Sequence, residues 1–399
     1  MPTPVRRPRI AVLSPFVDKR HGTKRCVAEQ IERLAGVYEI HLYSSRVEDV
    51  DLTRIIWHRV PALGGPHLFG YIWWLFANSF CRWRDRRFRG LAPDVVYSAG
   101  VNCLDADLVS VHILFSKVRA QLGDGLSLKH HPFKAWPLML HRQIYYRFIE
   151  WLEGRLYRHQ DISLVSVSQA AAQDIRDRFG PRDHLSIAYY GVDSVQFAPG
   201  RRLELRKGAR VALGLSEEDF VILLIGNDWR KKGLQCLLQA VSLLKSPQVQ
   251  LLVAGTDVET VYQESINKLG LAGRVSFLPP REDVEFYYAA ADAYAGPSLE
   301  DTFSLPPAEA MACGLPSITT RAAGVSEIIH HGEDGLVLEN AADSKTLSEW
   351  LGRLATDAEW RDRLGAAAAL TAAKYTWAHN AQQLGVVIDS LIAARSVSD

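Results

Sequence analysis

The sequence predicts an α/β protein made of two Rossmann-like domains. Three observations carry that reading. Short apolar segments alternate with amphipathic helical patterns along both halves of the chain, as parallel strands covered by helices require. The 399 residues suffice for two domains of ordinary size, and 48% apolar against 23% charged residues is a globular balance. The charge is also divided. Residues 1–199 hold 27 Lys and Arg against 19 Asp and Glu, and residues 200–399 hold 19 against 26, so a net charge of +1 conceals a basic half and an acidic half.

In chain order, RIAVLSP (Arg9–Pro15) reads as a buried strand, and the pattern from Thr23 to Ala35 reads as an amphipathic helix. YEIHLYS (Tyr38–Ser44), DVVYSAG (Asp94–Gly100) and DLVSVHILF (Asp107–Phe115) read as further parallel strands. Pro132–His159 is mostly helical in pattern and rich in aromatics and arginine, and ISLVSVS (Ile162–Ser168) and LSIAYYGVD (Leu185–Asp193) close the first half. QFAPGRRLELRKGARVALGL reads as a linker and a short helix, with Pro199-Gly200 as the boundary. That divides the chain into residues 1–198, residues 199–375 and a tail of residues 376–399. The second half alternates cleanly. Strands are expected at Phe220–Gly226, Val249–Gly255, Val275–Pro279 and Ala293–Ser298, and helices at Gly233–Leu244, Glu259–Leu269 and about Glu282–Ala291. LPSITT, VSEIIHH and GLVLE continue the alternation.

Some classes are excluded. Five scattered cysteines without CxxC spacing argue against a disulfide framework or a zinc site and fit a reducing cytosol. MPTPVRRPRIAVLSPF lacks the apolar core and cleavage site of a signal peptide, and no uncharged apolar run reaches the roughly 18 residues of a spanning helix. A dinucleotide fingerprint is absent after the first strand, SPFVDKRHGTKRC, and after Ile225, GNDWRKKG.

Ligands of doubly wound sheets bind beyond the carboxyl ends of the strands, so these loops hold the candidates. Arg230, Lys231 and Lys232 cluster between a strand and a helix N-terminus, which suits a di-anion such as a pyrophosphate; a solvated basic turn is the plain alternative. In PSLEDTFSLPPAEAMACG (Pro297–Gly314), Ser304 is an N-cap candidate and Pro306 and Pro307 fit a first helical turn. Glu309 then falls inside an apolar helix, where a carboxylate must be hydrogen-bonded, and a ribose hydroxyl pair would satisfy it. Asp301, eight positions earlier in the loop, would be free to reach the hydroxyls of a different sugar. The alternative makes Glu300 and Asp301 surface loop acids and caps Glu309 with backbone.

These segments resemble the E-x7-E region of retaining glycosyltransferases of the GT-B architecture, the glycosyltransferase group 1, family 4. The resemblance covers almost the whole chain. Lys232-Gly233 resembles the family's K-G, EAMACGLPSITT its E-A-M-A-x-G-x-P, and AAGVSEIIHHGEDGLV the glycine-spaced run that follows. YGVDSVQFAP resembles N-G-V-D-x-x-x-F-x-P, and YTWAHNA (Tyr375–Ala381) resembles the tail helix that crosses back to the first domain. Four positions depart from the pattern. Asp301 rather than Glu300 aligns with the first acid, Ser304 replaces a usual glycine, Asn227 replaces an arginine, and Tyr190 replaces an asparagine.

The resemblance implies two Rossmann-like domains facing across a cleft, with the acceptor on the first and a nucleotide sugar on the second. It implies transfer of a hexose-type sugar from a UDP- or GDP-linked donor to a glycan or lipid-linked acceptor with retained configuration, without metal or further cofactor. Lys232, with Lys231 or Arg230, would hold the diphosphate. Glu309 would bind the ribose, and Asp301 with the Phe303–Leu305 backbone the donor sugar. His112 would contact that sugar, and Gly22 would let backbone approach it. Front-face substitution is implied, since no second carboxylate stands as a nucleophile. A sugar-nucleotide epimerase or hydrolase and a non-catalytic sugar-nucleotide binder are the alternatives; a nucleic-acid partner is not expected.

FGYIWWLFANSFCRWRDRRFRG (Phe69–Gly90) leads an aromatic run into five arginines against one aspartate. It reads either as a core-packed helix with a solvated end or as a contact with an anionic membrane or lipid-phosphate acceptor. The expected location is cytoplasmic, with peripheral contact on the inner membrane face under the second reading.

Overall fold

The structure, a computed structural model, describes residues 6–20, 22–122 and 133–396. Residues 1–5 of the basic N-terminal segment and Pro132, the predicted start of the aromatic helix, lie outside the described residues. The chain divides into two compact units, Met1–Tyr189 with Trp377–Asp399, and Tyr190–Thr376.

Unit 1 begins β1 (Arg9–Leu13), β2 (Phe16–Val17), α1 (Gly22–Leu34), β3 (Glu39–Ser44), β4 (Arg46–Val47) and β5 (Ile55–Arg59). It continues through α2 (His67–Arg89), β6 (Val95–Ala99), β7 (Leu108–Val111), α3 (Phe115–Leu122), α4 (Trp136–Tyr157), β8 (Ser163–Ser166), α5 (Gln169–Phe179) and β9 (Leu185–Ile187). Its sheet runs β5-β3-β1-β6-β7-β8-β9, and every pairing in it is parallel. Parallel strands buried on both faces call for continuous apolar runs, and IAVL and VVYSA are of that kind.

Unit 2 holds α6 (Pro199–Ala212), β10 (Phe220–Ile225), α7 (Leu234–Leu243), β11 (Val249–Ala254), α8 (Gln263–Lys268), β12 (Val275–Leu278), α9 (Glu285–Ala290) and β13 (Ala293–Ala295). α10 (Leu305–Ala312), β14 (Ser317–Thr320), β15 (Leu336–Leu338), α11 (Ser344–Thr356) and α12 (Ala358–Ala372) follow. The sheet order β12-β11-β10-β13-β14-β15, all parallel, is the 3-2-1-4-5-6 order of a doubly wound nucleotide-binding fold. The last helix, α13 (Trp377–Ser396), belongs to unit 1 and packs on α1. There Gln30 Nε2 donates to Asn380 Oδ1 at 2.9 Å, and Tyr38 Oη donates to Asp389 at 2.7 Å. All five cysteines are buried and unpaired.

Several expectations change. The units divide at Tyr190, upstream of Pro199-Gly200. Pro199 instead sits in the first turn of α6, where a missing N–H costs nothing, and α6 packs on α9. The short helix expected after the linker is α6, and three arginines of RRLELRKGAR point inward, Arg202 donating to the Ala291 carbonyl at 2.9 Å. Arg206 and Arg210 both pair with Asp292, which also accepts the Val221 N–H at 2.8 Å and so ties α6 to the start of β10. DLVSVHILF is strand only to Val111, because Phe115 starts α3, and LSIAYYGVD is strand only over Leu185–Ile187. VSEIIHH falls largely in a 3-10 turn, Gly324–Ile328, since Val325 N–H is taken by the Phe303 carbonyl rather than by a neighbouring strand. β2, β4, β5, α3, α5, α11 and α12 had no counterpart in the sequence reading.

Arg210 is essentially fully buried and also donates to the Ala290 and Asp219 carbonyls. Arg210→Met strips those carbonyls of their donor and uncovers part of the Asp292 charge, which should lower unfolding free energy by about 3 kcal/mol. Urea denaturation of the variant checks this; a loss below about 1 kcal/mol would mean that Arg206 alone suffices for Asp292.

Candidate active site

In unit 2 the strand order reverses between β10 and β13, and the loops after these two strands meet. The first is Gly226–Gly233. Trp229 is buried in it and packs on Phe277 at 4.9 Å, and Asp257 accepts the Trp229 N–H at 2.9 Å. Asp228 accepts the Lys231 N–H at 3.0 Å, a side chain to backbone turn that fixes the loop. The loop is tied to its neighbour where Leu299 N–H donates to the Lys231 carbonyl at 2.8 Å. Gly233 has φ 77°, and a Cβ there would overlap the Pro297 carbonyl, so the close approach of the two loops requires glycine.

Lys232 is the meeting point. Its Nζ donates to Asp301 Oδ2 at 2.6 Å and to Ser304 Oγ at 2.9 Å. Both partners of the ion pair are mostly covered, with side chains 15% and 22% exposed, so water screens it less than a surface pair. An ammonium carries three donors, so one N–H of Lys232 remains for an anion. The lysine stem lies against Gly226, where a Cβ would stand 2.8 Å from its Cγ. Gly226 was not singled out in the sequence; a glycine at the very end of a strand, ahead of a basic loop, is the available signal. Arg230 and Lys231 are exposed, and of the three loop cations only Lys232 contacts Asp301.

Asp301 is held by its own backbone, with its N–H on the Ala322 carbonyl and its carbonyl accepting from Gly324. Its Oδ1 accepts the Phe303 N–H at 3.3 Å, and the Phe303 carbonyl accepts from Val325, so both main-chain groups of Phe303 are occupied. Ser304 stands at the N-cap position of α10 but does not cap with its side chain, because the residues it would cap, Pro306 and Pro307, have no N–H to donate, and Oγ accepts from Lys232 instead. It adopts φ 76° and ψ 99°, a region that favours glycine and costs a serine about 1–3 kcal/mol. Leu305 opens the helix. Pro306 and Pro307 follow and lack N–H groups, so the helix start offers an anion fewer donors than expected, and Lys232 carries more of the task. Glu309 is buried within α10 and accepts the Tyr288 hydroxyl at 2.8 Å; burial and this carboxylate push the Tyr288 phenol far above its usual range. Tyr288 is a partner that sequence spacing did not reveal.

Unit 1 has its own reversal between β1 and β6. A cavity of about 380 Å³ opens there, lined among others by Pro15, Thr23, Gly100, Asn102, His112 and Tyr145. His112 follows β7 and is 3% exposed, and burial lowers its imidazole from 6.5 to about 4. It is therefore neutral near pH 7. Gly22, the first residue of α1, is exposed beside Thr23.

Residues 206–371 match the family described as Glycosyl transferases group 1. The chain is 31% identical over 251 residues to the D-inositol 3-phosphate glycosyltransferase of Stackebrandtia nassauensis, covering 59% of this chain and 56% of that protein. To the same-named protein of Mycolicibacterium smegmatis it is 29% identical over 262 residues, covering 62% and 56%. The chain thus spans little more than half the length of these curated relatives. WaaG, a glycosyltransferase involved in lipopolysaccharide biosynthesis, superimposes with TM-score 0.73 at 18% identity, over 95% of this chain and 99% of its own. Sucrose-phosphate synthase from Thermosynechococcus elongatus gives 0.77 at 20% identity, over 97% and 100%. HepE of Anabaena, solved in complex with UDP-glucose, gives 0.65 at 19% identity, over 98% and 100%. The fold is the paired Rossmann-like fold of these proteins.

The depressed pKa of His112 has a consequence for stability. Between about pH 4 and 6.5 the unfolded chain binds a proton that the folded chain refuses. Stability from this group is therefore complete above 6.5 and is lost as pH falls, by about 2 kcal/mol at pH 5. Urea unfolding at pH 7 and pH 5 should give a smaller difference for His112→Asn than for the unsubstituted protein. Equal differences would mean that His112 titrates normally in the fold.

Proposed function

We propose that this chain is a retaining glycosyltransferase, a reading supported by the match of residues 206–371 to the family described as Glycosyl transferases group 1. It moves a hexose-type sugar from a nucleoside-diphosphate donor to a glycan or lipid-linked acceptor. The observation that carries the reading is the cluster of Lys232, Asp301 and Ser304 at the strand reversal of unit 2, with one lysine donor left over. In this proposal Lys232 binds the donor diphosphate. As the anomeric carbon–oxygen bond breaks, negative charge gathers on the leaving phosphate, where a preorganised cation is most effective. The acceptor oxygen bonds to the same face of the sugar, and its proton passes to the leaving phosphate oxygen. Asp301 accepts from sugar hydroxyls, and Glu309, already oriented by Tyr288, accepts from the ribose. His112 contributes as a neutral ring. Lysine charge takes the place of a metal. UDP-glucose, bound by HepE, is the first donor to try.

Lys232→Ala should lower turnover by roughly two orders of magnitude, the usual cost of one preorganised donor. The unsubstituted protein should keep its activity in EDTA. Turnover of the variant within a few-fold of the original would remove Lys232 from the reaction. Donor consumption that is indifferent to acceptor would favour an epimerase or hydrolase, and donor binding without turnover a binding protein.

We propose further that unit 1 rests on an anionic lipid surface through α2. Leu68, Trp74, Ala77, Asn78, Cys81 and Asp85 of this helix are buried, while Phe69, Trp73, Phe76, Phe80 and Trp83 form an outward stripe at three- and four-residue spacing. One face of the helix is thus packed on unit 1 and the other carries an exposed aromatic stripe. Phe76, Phe80 and Trp83 are each half exposed or more, and their rings follow one another at 6.4 and 5.6 Å. The arginines divide. Arg82 is bound to Asp105 through two hydrogen bonds, and Arg84 and Arg89 pair with the buried Asp85, which leaves Arg86 and Arg87 of the last turns to face lipid phosphates. No helix among the described residues is long and apolar enough to cross a membrane. Substituting Phe76, Phe80 and Trp83 with Ser should abolish most co-sedimentation with phosphatidylglycerol vesicles at low salt. Unchanged sedimentation would take α2 out of the contact.

A further inference from the structure

A charged concavity lies in unit 1, away from the apolar cavity that holds His112. It encloses about 640 Å³ between α3, α4 and α5. Arg119 of α3, Arg147, Arg155 and Arg158 of α4 and Arg178 of α5 line it, together with Trp151 and a single carboxylate, Glu150. Five guanidinium groups against one acid converge from three helices.

Glu150 is already committed. It binds Arg119 at 2.5 Å and lies 3.8 Å from Arg178. Arg147 and Arg158 have no ion-pair partner among the described residues, and Arg155 lies over the Trp151 ring at 6.0 Å. On α4, positions 147, 151, 154, 155 and 158 share one face. Gly154, at the middle of that face, leaves the concavity open; a Cβ there would stand 3.5 Å from Arg158 Nη1. A row of arginines along one helix is commonly a solvated face, and the dipole at the end of α4 favours Arg155 and Arg158. Neither accounts for Arg119 and Arg178 turning into the same space from other helices. Like charges brought together in a hollow repel unless an anion joins them, and guanidinium forks match phosphoryl oxygens in pairs.

We propose that this concavity is a binding site for a ligand bearing phosphoryl groups with at least two negative charges, either free in solution or at the head of a lipid. Arg147, Arg155 and Arg158 make the direct contacts, Arg119 and Arg178 are held in place by Glu150, and Trp151 covers one side. The site is separate from the donor site proposed in unit 2.

The test compares full-length protein with a triple variant, Arg147→Gln, Arg155→Gln and Arg158→Gln. These residues are exposed, so the fold should survive, which thermal unfolding verifies. Both proteins also carry Lys232→Ala, so that anion binding in unit 2 is reduced equally. Inorganic pyrophosphate is titrated by calorimetry, with an expected affinity that falls with added salt and drops at least about tenfold in the triple variant. A second arm uses vesicles containing phosphatidic acid, with Phe76→Ser, Phe80→Ser and Trp83→Ser in both proteins to remove the α2 stripe. Loss of pyrophosphate binding in the triple variant supports a soluble ligand, and loss of vesicle binding alone supports a lipid headgroup. Equal behaviour of the two proteins toward both probes overturns the proposal.

Discussion

Parallel pairing is the constraint on which both units depend. A sheet whose strands all point one way collects every strand-to-helix loop at one edge, and helices cover both its faces. Where the strand order reverses, two neighbouring strands send their chains in opposite directions and leave a crevice that no crossover helix fills. Unit 2 reverses between β10 and β13, and Lys232 and Asp301 come from the loops that follow those strands. Unit 1 reverses between β1 and β6, and its apolar cavity opens there. Chemistry is located by topology before any side chain is chosen.

Within that frame the Lys232–Asp301 pair balances two demands. Left alone, a lysine among covered groups would be costly in the empty protein. Fully neutralised by two acids, it would have little left for an anion. One carboxylate and one hydroxyl leave a single donor and a partial charge. The arrangement requires that Ser304 hold a backbone conformation glycine would take more easily, and the Oγ–Lys232 bond is what serine offers in exchange.

Much of this was legible in the sequence, and the reason is local. β10, β11 and α7 are long apolar runs bounded by glycine, so their type follows from pattern alone. Asp301 could be chosen over Glu300 by register, and it is the acid that reaches Lys232. What was not legible depends on residues distant in the chain. Arg82 reads as an interfacial cation until Asp105 is seen beside it. The arginines of RRLELRKGAR read as solvated charges on a short helix until Asp292 appears beneath them. Tyr288 reads as one aromatic among many in VEFYYAAADAY, and only packing brings its hydroxyl to Glu309. The α2 stripe could not be divided into core and surface, because aromatics occupy both faces and only the sheet decides which is covered.

The five buried thiols bear on how such a protein can be handled. Burial pushes the thiols of Cys103 and Cys236 up to about 12 and 11, and raises Cys26, Cys81 and Cys313 as well. Alkylation proceeds through the thiolate, which is scarce at neutral pH under those conditions and shielded from reagent besides. Burial and a raised pKa should both slow the reaction of the native thiols with maleimides. A cysteine introduced on the surface of each unit could carry a fluorophore without removal of the native five, so distances between the units could be followed by energy transfer in an otherwise unaltered chain.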